Sequence, residues 1–238
     1  HDKIEASFGE RDDYRRYEIF GGISSNGEVA KMKAIVEADN IDVVVAVGGG
    51  SAVDTAKATA YYTGKHIVIV PTVAATDAPC TGLSVIYNDD GTFDKYLFYP
   101  TNPDAVIVDS NIIANAPVKL FASGMADAFA KYIETGLMME YYDLHSTPVG
   151  MYTSKVLAGI TNDILLNKGE KAYRDCVNHE VTEEFDACVY ANIATTALAA
   201  AVNYNNHKAL IGGGKKGATF AHALYYACKD VFTEETKD

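Results

Sequence analysis

Basic residues are in short supply: 20 Lys and Arg stand against 32 Asp and Glu, a formal net charge of -12. That deficit argues against a nucleic-acid-binding surface, which needs a field of the opposite sign. Cysteine is also scarce. Cys80, Cys176, Cys188 and Cys228 are scattered, with no CxxC pair. They read as buried, reduced thiols of a cytoplasmic protein rather than as a metal ribbon or a disulfide framework. No apolar run has the roughly 20 residues needed to span a bilayer, and no signal peptide is recognised, so no membrane partner is expected. Two nucleotide fingerprints are missing as well. There is no GxGxxG, and no Lys-Ser/Thr pair closes a P-loop; Lys57 lies too far along.

What is present suffices for one large domain or two modest ones. The 238 residues are 48% hydrophobic and 22% charged, an ordinary globular balance. The first half alternates strand and helix signals. "YEIFGG" reads as a short strand over 17–20 and "NGEVAKMKAIVEADN" as a helix. "DVVVAV", 42–47, is a continuous apolar run of the kind buried on both faces of a parallel sheet. A helix over 51–62 and the strand "HIVIVPT" complete a βαβ unit. Two alternating stretches around Asn88-Asp89-Asp90-Gly91 signal a hairpin. "DAVIVD", 104–109, returns to a buried strand. Beyond residue 110 the strand signals stop. Pro117 suits the first turn of a helix, and helical patterns cover 119–140, 148–166, 182–201 and 217–229. The expected organisation is an α/β part, 1–113, followed by an all-helical part, 114–238. The polar start "HDKIEASFGERDDYRRY" and the abrupt end "VFTEETKD" suggest that both parts are incomplete.

Gly48, Gly49 and Gly50 join the end of a strand to the start of a helix. Glycine tolerates positive φ and lets a ligand approach the main chain. The free N–H groups and dipole of the helix favour an anion there, and Ser51 adds a hydroxyl donor. A pyrophosphate would suit the turn; so would nothing more than tight strand-to-helix packing. Asp54, one turn on, complements the helix dipole or contacts a nicotinamide amide or ribose.

The stretches "GGGSAVDTAKA", "VPTVAATDAPCTGLSVIYNDDGTFDKYLFYPTNPDAVIVD" and "ASGMADAFAKYIE" together resemble the glycerol dehydrogenases of the iron-containing (metal-dependent, group III) alcohol dehydrogenase superfamily. The likeness is nearly continuous over 20–134 and resumes at "AHAL". It implies a dehydroquinate synthase-like architecture: a Rossmann-like, parallel-sheet NAD domain, then an all-helical domain, with a metal in the cleft between them. By the resemblance, Gly48, Gly49, Gly50 and Ser51 cradle the NAD pyrophosphate and Asp54 faces the nicotinamide end. Thr72, Thr81, Leu83, Val85 and Tyr87 match positions lining the dinucleotide. Asp77 matches the acid that meets the polyol. Asp127 and His222 match the first and second metal ligands, for Zn2+ or alternatively Fe2+. A metal held by a carboxylate and imidazoles leaves a position open for a substrate hydroxyl. The implied activity is NAD-dependent oxidation of glycerol or a similar vicinal diol to the hydroxyketone, in a homo-oligomer.

Each residue also has an ordinary explanation. Asp127 near a helix start complements the dipole, His222 on an apolar helix suits a core position, and Asp77 before Ala-Pro organises a turn. His66, His145, His179 and His207 are given no ligand role. The family's third ligand, a histidine of a His-Gly pair, does not occur before Asp238. The family's second histidine one turn after position 222 is Tyr225 here. The first strand of the dinucleotide domain is expected upstream of His1. The alternatives are a hydroxy-acid or sugar-phosphate enzyme of the same superfamily, for which Lys215 and Lys216 are the only basic candidates, or a nucleotide-binding or assembly protein without turnover. No Arg or Lys follows Phe20; Gly21, Gly22 and the acid Glu28 stand there instead, so NAD is expected over NADP.

Overall fold

The computed structural model describes residues 2–140 and 149–202. After a short helix α1 (Asp2–Phe8), the chain forms α2 (Asn26–Ala38), β1 (Val43–Gly48), α3 (Gly50–Thr63) and β2 (His66–Pro71). A single 3-10 turn (Ala78–Cys80) leads to β3 (Leu83–Tyr87), β4 (Phe93–Phe98) and β5 (Ala105–Val106). Helices follow: α4 (Ser110–Ala114), α5 (Val118–Glu140), α6 (Val149–Val177) and α7 (Glu183–Tyr190), the last running into a π-turn over Ala191–Thr195. This is the expected mixed α/β region with a parallel sheet, then a helical region. We propose a division after residue 113 on that change of element type.

β1, β2 and β5 make a parallel sheet in the order β1-β2-β5, with Val43 opposite His66 and Val68 opposite Ala105. One face packs on α3, where Ala46, Val53 and Ile69 form a small apolar cluster. The other face differs from expectation. Val43, Val45 and Val47 are exposed, as are Ile107 and Val108. The run 42–47 is therefore buried on one face among the described residues, because β1 pairs only with β2 and only α3 covers it. The strand expected over 104–109 shortens to two residues for the same reason, although Ile107 N still donates to the Ile69 carbonyl at 2.8 Å. The expected strand over 17–20 does not form: Ile19 is 90% exposed and no neighbouring strand pairs with it among the described residues. Its apolar character alone gives the backbone no partner.

The hairpin is as expected. β3 and β4 pair antiparallel, with a register shift at Ile86/Tyr87. Gly91 closes the turn at φ +89°, and Asn88 N bonds the Thr92 carbonyl at 2.8 Å. The turn has a second task. Asp89 accepts from Ser25 Oγ at 2.5 Å and from Gly27 N at 2.9 Å, while Ser25 Oγ caps α2 by accepting from Glu28 N.

The helical part folds on a larger cluster. Phe121 of α5 stacks tilted on Phe185 of α7, ring centroids 5.0 Å apart, and Ala172 and Cys176 extend the contact along α6. α6 runs eleven residues past the expected end at 166. The sequence turns polar there, but Gly169, Ala172 and Cys176 keep a narrow buried stripe at helical spacing. The expectation about long apolar runs also needs correction. Glu183–Val202 is long and apolar enough, by length and composition, to cross a membrane; more than half of it is buried inside the protein, as a core helix would be. Cys176 and Cys188 are buried free thiols, and burial pushes the Cys188 thiol up to about 11. Cys228 lies outside the described residues.

A close backbone contact helps to join the two parts. The Ala74 carbonyl, in the loop after β2, lies against the backbone of α5 at Gly124, where an added Cβ would stand 1.8 Å from it. Asn192, in the π-turn, donates to the same carbonyl from Nδ2 at 3.2 Å. Gly124→Ala is therefore expected to force the loop and α5 apart and to cost about 1–3 kcal/mol or more. Urea denaturation of the variant measures it; an unchanged midpoint would show that the approach is not tight.

Candidate active site

The glycine turn sits at the carboxyl edge of the sheet, where β1 ends at Gly48 and β2 at Pro71. In parallel α/β sheets this edge is where ligands bind. Gly49 is the N-cap of α3 and supplies no side-chain cap, so the first N–H groups of the helix are left to other partners. The reason for glycine differs from expectation. None of the three has positive φ. A Cβ on Gly48 would meet Ala52 Cβ at 2.9 Å, and one on Gly49 would meet Val73 Cγ2 at 3.3 Å. Close packing, rather than backbone conformation, excludes side chains here. Gly50 is looser: its nearest neighbour is Thr76 Oγ1 at 3.4 Å. The turn thus abuts the loop that carries Asp77. Ser51 is exposed at the start of the helix, and Thr72 N bonds the Gly48 carbonyl at 3.1 Å.

β3 presents Leu83, Val85 and Tyr87 on one face, while Ser84 and Ile86 turn to the other. Ile86 packs on Val29 and Ala58, and Ser84 Oγ donates to the Asp54 carbonyl at 2.9 Å. The alternation therefore leaves the three expected lining positions together. Thr81 is buried beside them, its hydroxyl on the Ala78 carbonyl at 3.3 Å.

Asp54 behaves differently from the expectation that it faces a nicotinamide. It is 8% exposed. Its Oδ2 accepts from Val85 N at 3.1 Å, and its Oδ1 lies 3.0 Å from Lys57 Nζ. Lys57 is itself buried and donates to the carbonyls of Ala78, at 2.8 Å, and Leu83. The pair ties α3 to the Asp77 loop and to β3. Burial raises the Asp54 pKa, and the Lys57 charge and the Val85 N–H oppose it. Lys57 therefore has no free donors for a phosphate, in keeping with the missing P-loop.

Asp77 precedes the 3-10 turn, and Asp127 lies on α5 one turn past Gly124. The structure brings both to one cation that sequence reasoning did not single out. Lys131 Nζ bonds Asp77 Oδ2 and lies 3.6 Å from Asp127 Oδ2. The three side chains are 14–25% exposed. Spacing alone could have flagged the Asp127–Lys131 half, an i,i+4 pair on a helix. Asp77 sits 54 residues away from Lys131, and nothing local announces that contact. Cys80 is nearby; burial, then the Asp77 charge, pushes its thiol up to about 11, so it is no nucleophile at neutral pH.

Among the described residues, no three His, Cys, Asp or Glu side chains are grouped to hold a metal ion. Asp77 and Asp127 nevertheless fit a cation, since carboxylates from two elements already converge on the Lys131 ammonium. His222 lies outside the described residues, as do Tyr225, Lys215, Lys216, His145 and His207. His66 lies at the edge of the sheet beside Asp104, and His179 Nδ1 is engaged by the Ala114 carbonyl at 2.8 Å.

Replacing Asp54 with Asn keeps the contact with Val85 but leaves the buried Lys57 charge uncompensated. The expected cost is about 3–5 kcal/mol of stability, read by chemical denaturation. A variant as stable as the parent, with weakened cofactor binding, would instead put Asp54 at the ligand.

A model of the family described as "Iron-containing alcohol dehydrogenase" matches residues 2–110. Glycerol dehydrogenase of Thermotoga maritima is 43% identical over 182 residues, 76% of this chain and 50% of that protein. Glycerol dehydrogenase of Citrobacter freundii is 39% identical over 212 residues, 87% of this chain and 54% of that protein. The crystal structure of glycerol dehydrogenase from Schizosaccharomyces pombe superposes with a TM-score of 0.80 at 28% identity, covering 97% of this chain and 55% of that one. The chain spans about half the length of the curated relatives it matches. The matched residues 2–110 take in the glycine turn, the Asp77 loop and the hairpin that build the site, and over them the chain is similar to the iron-containing alcohol dehydrogenase family.

Proposed function

We propose that the protein oxidises glycerol or a similar vicinal diol to the hydroxyketone, with NAD as hydride acceptor and a divalent metal, zinc or alternatively ferrous iron, at the substrate. The observation that carries this reading is the convergence of Asp77 and Asp127 on one cationic centre, beside an uncapped helix N-terminus at the carboxyl edge of a parallel sheet.

The N–H groups at the start of α3, with Ser51, would bind the pyrophosphate, favoured by the helix dipole by about 0.3–1 kcal/mol. The face of β3 formed by Leu83, Val85 and Tyr87, with Thr72 and Thr81, would line the dinucleotide and keep water from it. Asp127, with His222, would hold the metal. A divalent cation there would acidify the substrate hydroxyl. Asp77 would accept the hydrogen bond or proton of the hydroxyl and so orient the diol. Glu28 accepts from Gly21 N at 3.0 Å, which puts an acid where a 2′-phosphate would need a base, and NAD is preferred to NADP. A homo-oligomer in the cytoplasm is part of the same proposal.

Gly50→Ala separates binding from folding, since an added methyl meets only ordinary contacts inside the protein. Its stability should stay within about 1 kcal/mol of the parent, while NAD affinity falls. Unchanged NAD affinity would make the turn purely structural.

Asp127→Asn should abolish glycerol oxidation while NAD titration remains near normal, since the cofactor rests on the first part of the chain. NAD-linked glycerol turnover by this variant, with metal still bound, would overturn the proposed metal position. Tighter binding of NADP than of NAD would overturn the cofactor assignment.

A further inference from the structure

We propose that Lys131 is a built-in cation of this site, one that a divalent metal must displace, so that this side chain sets the affinity for the metal. The inference rests on the metal reading of Asp127 given above. Lys131 sits one turn beyond Asp127 on α5 and reaches across to the loop after β2. Its ammonium hydrogen-bonds Asp77 Oδ2 and lies 3.6 Å from Asp127 Oδ2. Its side chain is only 18% exposed.

Two carboxylates held this close repel each other. An ammonium between them relieves that repulsion and keeps both side chains aimed at one point before any metal arrives. The oxygens it engages are also those a metal would use. A divalent ion bonded to Asp127 and the Lys131 ammonium cannot share that space, because like charges a few ångströms apart in a partly desolvated pocket repel strongly. The four-carbon stem resolves the conflict. Its rotations carry the charged head away while the helix backbone stays in place. Metal uptake then exchanges one cation for another, and the Asp77 oxygen that faced Lys131 is freed for the substrate. Lys131 is a positioning residue here: it acts through Asp77 and Asp127.

The test uses zinc titration against a chromogenic chelator, with thermal unfolding of the same samples. Lys131→Met keeps the length of the side chain and removes its charge. It should raise zinc affinity by about tenfold or more, as expected for the loss of a competing charge this close. The metal-free protein should unfold at lower temperature, so the zinc-induced rise in Tm should widen. Lys131→Arg, which keeps the charge, should bind zinc no more tightly than the parent. If Lys131→Met does not fold without metal, Lys131→Gln, neutral but still a donor, is read in the same way. Asp127→Asn separates the two readings. If it abolishes zinc binding while the neutral Lys131 variants bind no more tightly than the parent, this inference fails and the metal site stands. If Asp127→Asn binds zinc as the parent does, or the parent binds none, the metal placement fails and the inference falls with it.

Discussion

The Ala74 carbonyl is where the two parts of the chain meet, and the geometry of the site follows from that meeting. α5 can approach the loop after β2 only because residue 124 carries no side chain; an added Cβ would stand 1.8 Å from the carbonyl oxygen. Asn192 reaches the same oxygen from the π-turn, a local widening that re-aims side chains within a helix. Three residues beyond Gly124 comes Asp127, and seven beyond comes Lys131, both on the face turned to the loop. Three residues after Ala74 comes Asp77. A single close backbone approach thus converts two distant stretches of sequence into one charged cluster.

The molecule uses the same device twice, to different ends. Lys57 and Asp54 form one lysine–carboxylate group, and Lys131 with Asp77 and Asp127 forms the other. In the first, the ammonium also binds main-chain carbonyls and is almost wholly buried, so it fastens the glycine-turn helix to β3 and to the Asp77 loop. In the second, the ammonium engages the Asp77 and Asp127 carboxylates and keeps some solvent access. The first pair resists exchange because removing it strands a buried charge. The second can exchange one cation for another. Structural stiffness on one side of the Asp77 loop and adjustable charge on the other are what a site needs if it must hold a cofactor firmly and a substrate briefly.

The legible features of the sequence were those with local physical causes. The strand–glycine–helix unit around Gly48, the hairpin around Gly91 and the helices expected over 119–140, 148–166 and 182–201 are written in period and turn chemistry, and appear; the helix expected over 217–229 lies outside the described residues. Features that depend on a distant partner were not legible. The run 17–20 looks like a strand but has no neighbour to pair with among the described residues. The valines of β1 look buried on both sides, yet among the described residues α3 covers one face and Val43, Val45 and Val47 are exposed on the other. Asp54 resembles a ligand contact in the motif, while its carboxylate lies against Val85 and Lys57. The Asp77–Lys131 contact joins residues with no local signal between them. Composition likewise passed over 183–202, whose apolar length reflects burial in the core. Family resemblance supplied Asp77 and Asp127 as a pair; only the fold supplied the lysine between them.

The most direct measurement is a crystal structure of the protein soaked with zinc and NAD, with anomalous data collected at the zinc edge. The account requires one strong peak at about 2.0–2.2 Å from a carboxylate oxygen of Asp127, with Lys131 Nζ moved out of contact and the pyrophosphate against the start of α3. A peak bonded elsewhere, or a zinc at Asp127 with Lys131 still between the two carboxylates, would contradict it.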